Sequence, residues 1–504
     1  MSDGSESLQG VQFPTVDGRR STSATGREVF AAAARAVDPA LAERIASGGA
    51  WHTSYVDRLR DLVSADLRST GADLDAVPRA GLAAVADTFA YHRDGQVVSL
   101  AEAASVPTAP LPTTAVVPGR RPPARRLVVP YRGRQLEGPT LRRQLGAWVD
   151  TDVIEPTVAA AVERVLDEPD WLDLSDLTVL VLGAAAEMGP LAHLLRWGAT
   201  VIPVDLPRPR LWERVLSAVR EGAGRALVPV RHPVDPDDHA ALAVAAGMDL
   251  DRELPELAAW LTTLDAPDVI GTYVYADGAD NVRVSLAADV LTTRVLERAP
   301  RATLAGLLTP TDVYAAPADA VAAAEARRAA AGAPPRLART VTRGRGYRPA
   351  YAGTVASASG TAFGLADAQV PQQGPNYALA KRLARWRLRV ARAAGTPVSA
   401  NVAPATATRS VTSNRLLAAA YAGAHHFGVE VFAPATSTAL MSALLVRDLR
   451  DPRAAGRPDV SLAHPLALFA DTAAHGGLWR LPWAPRSVLP LAAVAGLPAA
   501  VRGR

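Results

Sequence analysis

A tyrosine and a lysine four residues apart, Tyr377 and Lys381, stand in the segment NYALAKRLARWR (376–387). On a helix these positions share a face, so the lysine ammonium comes near the phenol and lowers its pKa. A phenol so placed can give a proton to a carbonyl oxygen during reduction or take one from an alcohol during oxidation. The same spacing also describes an ordinary amphipathic helix that turns Arg382, Arg385, Arg387 and Arg389 to solvent.

A second chemical signal lies earlier, in DLTVLVLGAAAEMGPLAHLLRWGATVIPVDLP (176–207). Leu177 to Leu182 is a short apolar run of strand composition that stops at Gly183. Gly183 permits a tight turn, and Gly189 lets a backbone approach a phosphate at the start of the following helix, where free N–H groups favour an anion. Ala185, Glu187 and Met188 fill the turn between them and are placed against the same ligand. Thr200 to Val204 returns as a second strand, and Asp205 follows it, 22 residues after Gly183, where a carboxylate can accept hydrogen bonds from an adenosine ribose. Two other readings fit this segment alone. It is also the pattern of a βαβ unit with no ligand, and of an S-adenosylmethionine site.

The residues beyond the tyrosine separate these readings. One helix later comes GTPVSANVAP (395–404), then Thr406 and Thr408. With these residues in this order, the chain resembles the short-chain dehydrogenase/reductase family over roughly residues 176–440. Asn401 and Pro404 match the strand that succeeds the family's Y-x-x-x-K helix, whereas Ala405 replaces the glycine after the proline. In the glycine turn, the family's middle glycine falls on Glu187, whose carboxylate is unfavourable beside a pyrophosphate unless it turns away or meets a cation. The resemblance implies an α/β fold: a Rossmann-like doubly wound parallel sheet, with an N-terminal helical extension and a C-terminal extension. It implies NAD as cofactor, held by Gly183, Ala185, Glu187, Met188, Gly189, Asp205, Lys381 and Pro404. Asp205 would repel a 2′-phosphate, while Arg208 and Arg210 just beyond keep NADP open. Hydride would pass between the nicotinamide and a carbonyl or alcohol carbon of a small molecule, with Tyr377 and Lys381 catalytic. The alternatives are an S-adenosylmethionine-dependent methyltransferase and a dinucleotide-binding protein without catalysis.

Other family landmarks are blurred. Ala226–Val230, Val269–Ala276 and Ala302–Leu308 read as further strands, and Leu286–Leu296 as a helix. Asp277–Gly278 stands where the family has an asparagine-rich turn. No serine lies a dozen residues before Tyr377. Ser359, 18 residues before it, is the candidate for the serine of the catalytic set, with Thr309 and Thr311 separated from the tyrosine by some sixty residues.

At 504 residues the chain is about twice the length such a core requires, so extensions are expected. The sequence divides into a disordered terminus (1–25), a helical region (26–106), a Pro/Arg-rich connector (107–130), the nucleotide-binding domain (131–440) and a C-terminal extension (441–504). Within these, Leu141–Leu166, Ala318–Ala331 and Ser437–Leu449 read as helices, and HGGLW (475–479) as a substrate-side or capping loop of the kind that covers a nicotinamide pocket, or as a loop whose histidine simply hydrogen-bonds within the protein. There is no cysteine, which excludes disulfides and thiol chemistry. The cluster Arg120, Arg121, Arg125, Arg126, Arg132 and Arg134 lacks aromatic partners beyond Tyr131, so it reads as a solvated strand and not a nucleic-acid surface. His425 and His426 diverge on any regular element, so no metal is assigned. The expectation is a cytoplasmic protein acting on a small molecule, with no membrane partner, in a form that allows a homo-oligomer.

Overall fold

The computed structural model describes residues 8–16, 18–71, 73–332, 335, 339–340 and 342–502. Its centre is a seven-stranded, mostly parallel sheet in a mixed α/β architecture. In chain order the strands are β1 (Thr113–Pro118), β2 (Thr178–Leu182), β3 (Thr200–Val204), β4 (Arg225–Val230), β5 (Val269–Thr272), β6 (Thr303–Leu308) and β7 (Val398–Val402). They lie side by side as β7-β6-β5-β2-β3-β4-β1, with only the edge strand β1 antiparallel. The chain therefore builds outward from β2 through β3 to β4, then returns to the other side of β2 for β5, β6 and β7.

Alternation along these apolar strands supplies two cores, as expected of a parallel sheet buried on both faces. Leu180, Leu182, Ile202, Ile270 and Leu304 face helices Gly278–Arg298 and Gly374–Ala393 and the N-terminal helices. Val179, Val181, Val201, Ala226 and Ala305 face helices Gly138–Asp150, Pro156–Asp167, Pro209–Arg220 and Pro434–Arg450. The span expected to be one helix from Leu141 breaks at 151–155, where Glu155 leads into Pro156 and starts a second helix.

Several expected boundaries shift. Residues 1–7 lie outside the described residues, but Gly10–Gln12 is a strand and a helix starts at Thr22, so the disordered terminus does not extend to residue 25. Val11 and Phe13 anchor this segment in the core, at 0% and 5% exposure. The expected connector contains β1, and its arginines, exposed as expected, pair with carboxylates: Arg120 with Asp237, Arg125 with Asp173 and Arg126 with Glu137. The strand expected over Val269–Ala276 ends at Thr272. Between β6 and the Tyr377 helix, Val313–Pro317, Thr354–Ala356 and Ala362–Asp367 form a separate antiparallel sheet.

The arginines of the helix Gly374–Ala393 correct the solvent-facing expectation most clearly. Arg382, Arg385 and Arg389 are 4%, 2% and 3% exposed. Arg389 meets Asp66 at 2.5 Å and Asp75 at 2.9 Å on the N-terminal helical region. Trp386 fills the space a Cβ would need at Gly81, so the helix Ala76–Thr88 lies directly on it. The N-terminal region thus clamps the helix that carries Tyr377 and Lys381.

A second buried clamp ties the C-terminal segment to the sheet domain. His475 Nε2 donates to Glu155 Oε1 at 2.9 Å, and Arg480 donates to both Glu155 oxygens at 2.8 and 2.6 Å. His475 Nδ1 accepts the Gly477 N–H, so the ring is neutral and fully bonded. The HGGLW segment is therefore a structural joint and does not line the cleft at the carboxyl ends of the strands. Burial alone would raise the Glu155 carboxyl, but its bonds to Arg480 and His475 hold it down at about 2. A carboxyl lowered on folding adds stability above its unfolded value and loses it as pH falls towards the folded one. Thermal stability of the protein is accordingly expected to fall steeply between pH 4.5 and 2, with Glu155→Gln less stable at pH 7 and flatter across that window.

Candidate active site

In open α/β sheets ligands bind outside the carboxyl ends of the strands where the winding changes direction. Here that point lies between β2 and β5, and a cleft of about 1250 Å³ opens there. Gly183, Ala185, Glu187, Met188, Asp205, Tyr377, Lys381 and Pro404 all line it. Eight of the ten residues read from the sequence are thus brought together, although they come from the segments after β2 and β3, the helix Gly374–Ala393 and the exit of β7. Gly189 and Ser359 are not among its lining residues.

The turn after β2 needs its first glycine. Gly183 has φ +83, and a Cβ there would stand 2.9 Å from the Tyr273 and Val274 backbone. Asp205 braces the turn, because its carboxylate accepts the Ala185 N–H and the Leu206 N–H, both at 2.8 Å. Burial raises the Asp205 carboxyl, and these two backbone bonds oppose the rise. Each oxygen keeps a lone pair for a ligand hydroxyl. The next helix, Leu191–Arg196, is only one and a half turns long and begins after Pro190, so Gly189 does not open it. Gly189 instead closes the turn, donating its N–H to Ala186 O at 2.9 Å. Glu187 resolves the conflict its charge posed by turning to the segment after Pro404, where its carboxylate accepts the Arg409 N–H at 2.9 Å.

On the other wall, the Tyr377 hydroxyl donates to Thr309 Oγ1 at 2.9 Å. Thr309 directly succeeds β6, so the end of that strand delivers its hydroxyl to the cleft. Thr309 shares a 2.8 Å hydrogen bond with Thr311, which accepts Gln373 Nε2 at 2.7 Å. The loop is held rigidly from below: Tyr314 donates to Thr309 O at 2.6 Å, and Asp312 takes Arg382 and Arg385, each at 2.6 Å. Ser359 lies elsewhere, in the loop between two strands of the inserted sheet, where it donates to Ala463 O at 2.9 Å. The hydroxyl partner of the tyrosine is therefore Thr309, and the insertion that separates them in sequence loops away from the site.

Lys381 Nζ lies 5.7 Å from the Tyr377 ring centre and 5.8 Å from that of Tyr275. Among the described residues it makes no ion pair, and burial pushes its ammonium down to about 8. Burial also raises the Tyr377 phenol, opposed by the Thr309 and Thr311 hydrogen bonds. The expected lowering by the lysine is not found: desolvation dominates, and the phenol stays protonated at neutral pH.

Two further residues escape the sequence reading. Asn281, 1% exposed, accepts the Ala276 N–H through Oδ1 and steadies the turn after β5, while its Nδ2 has no partner among the described residues and the residue lines the cleft. Tyr275 projects beside Lys381 and donates to Asp277 at 3.0 Å. Asn401, by contrast, is buried away from the cleft, donating to Ser399 and Asp448 at 2.9 and 3.0 Å, so it fastens β7 and leaves Pro404 to line the site.

Among the described residues no helix is long and apolar enough to cross a membrane, and no group of three or more His, Asp or Glu side chains is placed to hold a metal ion. A scan against protein-family models and a search of curated proteins find no match for this chain.

Proposed function

We propose that the chain is an NAD(P)-dependent oxidoreductase with a Rossmann-like, doubly wound fold of the short-chain dehydrogenase/reductase type. The observation that carries the reading is the Tyr377–Thr309 hydrogen bond of 2.9 Å beside an ammonium without a carboxylate partner, inside the switch-point cleft. The strand order supports it, since β4-β3-β2-β5-β6-β7 corresponds to the order 3-2-1-4-5-6 of dinucleotide-binding sheets.

The residues present fit a dinucleotide. Gly183 to Met188 offer a backbone turn to phosphates, Asp205 has lone pairs for a ribose, and the unpartnered Asn281 Nδ2 and Lys381 ammonium are donors awaiting acceptors. Bound there, the nicotinamide would supply or accept the hydride. Tyr377, protonated at neutral pH, gives its hydroxyl proton to the oxygen of a carbonyl substrate as that carbon is reduced. Thr309 steadies the same oxygen, and Lys381 holds the ribose. In the reverse direction the phenol oxygen takes the proton of an alcohol.

Cofactor choice tests the adenosine end. A carboxylate at Asp205 disfavours a 2′-phosphate, yet Arg208 and Arg214 line the same end of the cleft, whereas Arg210 does not. NAD is expected to bind more tightly than NADP, and Asp205→Ser to shift that preference towards NADP by about tenfold, or ~1.4 kcal/mol. Calorimetric titration with both dinucleotides measures this. Tighter native binding of NADP would show that Arg208 and Arg214 dominate the carboxylate.

A further inference from the structure

Between Glu325 and Asp367 the chain carries seven arginines and neither aspartate nor glutamate. Arg327 is held by Asp152, but Arg339, Arg343, Arg345 and Arg348 are exposed and make no ion pair among the described residues. The bounding Asp367 is buried against Arg486. The connector arginines differ, since Arg120, Arg125 and Arg126 each have a carboxylate. Aromatic rings stand beside the exposed guanidiniums. Tyr347, within RGRGYR (343–348), meets Trp483 edge to face with ring centres 5.4 Å apart, and lies 6.4 Å from Phe427. All three residues are only partly buried. His425 and His426, exposed and with ring centres 4.0 Å apart, lead into Phe427. The backbone fixes this arrangement: the Gly344 N–H donates to Arg339 O at 2.8 Å and the Gly346 N–H to Thr342 Oγ1 at 2.9 Å. Arg348 is tied to the C-terminal segment, its N–H donating to Ser487 Oγ at 3.0 Å and its carbonyl accepting the Ala484 N–H at 2.7 Å.

We propose that Arg339, Arg343, Arg345 and Arg348, with the rings of Tyr347, Phe427 and Trp483, bind a single-stranded polynucleotide. Guanidiniums fork phosphate oxygens, and bases freed from a partner strand lie on aromatic faces that accept any base. Positive charge alone would suit an acidic polypeptide or an anionic lipid surface equally well. Neither supplies a regular series of planar groups for the rings. A lipid surface also calls for projecting apolar side chains, and none of the large apolar residues exposed among the described residues belongs to this loop. A duplex keeps its bases stacked inside, so it could use the arginines but not the rings. None of these residues lines the cleft, so the assignment stands apart from the oxidoreductase reading.

Fluorescence anisotropy of the intact protein with labelled RNA and DNA strands of about twenty nucleotides measures the binding. A plot of log affinity against log salt should fall with a slope of about −3, the value for four phosphates neutralised on a single strand. Arg343→Gln/Arg345→Gln should reduce the slope to about −1.5 and weaken binding about tenfold or more at low salt. These side chains are exposed, so the variant should unfold as the native protein does. Tyr347→Leu keeps bulk against Trp483 but offers no stacking face, so affinity should fall about tenfold with the slope unchanged. Arg120→Gln/Arg125→Gln, whose arginines already have carboxylates, should bind as the native protein does. Tighter binding of RNA or of DNA supports the proposal and names the strand's source. Binding of strands without binding of a dinucleotide would count against the oxidoreductase reading alone. The proposal is overturned by no binding at about 50 mM salt, by an unaltered slope in Arg343→Gln/Arg345→Gln, or by equal weakening in Arg120→Gln/Arg125→Gln. It is equally overturned if a duplex binds as tightly, or if polyglutamate or phosphatidylserine vesicles displace the strand at equal charge.

Discussion

Replacing Tyr377 by phenylalanine should lower turnover of a carbonyl or alcohol substrate by about 10²–10⁴-fold, the range expected for loss of a general acid or base. The change removes one hydroxyl whose hydrogen bond in the protein goes to Thr309, so the fold and dinucleotide binding should survive. Lys381→Met should differ in kind. It removes an ammonium facing the cleft, so both turnover and dinucleotide affinity should fall. In the native protein the same contribution should fade as pH rises through about 8, where Lys381 loses its charge. Steady-state kinetics with parallel binding measurements separate the two variants. Unchanged turnover in Tyr377→Phe would remove the tyrosine from the chemistry.

The second large effect is on stability. Asp312 is 5% exposed and faces two buried guanidiniums. Burial would raise its carboxyl, but Arg382 and Arg385 hold it below the usual carboxylate range. Asp312→Asn leaves both arginines without a buried counter-charge, which is expected to cost about 3–5 kcal/mol. Denaturant unfolding monitored by circular dichroism measures this. Turnover should drop as well, because Asp312 anchors the loop that brings Thr309 to Tyr377. A loss below about 1 kcal/mol, typical of an exposed pair, would show that the arginines find other partners.

Much of this site is legible in the chain because its parts are local. The turn from Gly183 to Asp205 is one strand–turn–helix–strand unit, and Tyr377 with Lys381 is one helical face; short-range periodicity is enough to place each. Thr309 escapes such reading because an entire small sheet, from Val313 to Asp367, lies between it and Tyr377. Only the pairing of β6 with its neighbours shows that the strand's end returns to the helix. Its position immediately after an apolar strand is the one signal the chain offers. Counting back from the tyrosine points to Ser359 instead.

The arginines illustrate a different limit. A helix bearing Arg382, Arg385, Arg387 and Arg389 looks solvated when its partners are unknown. Their counter-charges, Asp66, Asp75, Asp289 and Asp312, are scattered over the chain and become neighbours only on folding. Of the two sequence readings of His475, a pocket cap or a histidine that hydrogen-bonds within a loop, the fold takes the second, bringing Glu155 and Arg480 to it and using all three in a joint.

Titration of the intact protein with NAD, NADP and S-adenosylmethionine, with Lys381→Met as the paired variant, bears on the dinucleotide site without depending on an unknown substrate. Saturable binding of a dinucleotide at one site per chain is expected, weakened in the variant, with no competition from S-adenosylmethionine. Binding of S-adenosylmethionine alone, or dinucleotide affinity unaltered by Lys381→Met, would contradict it.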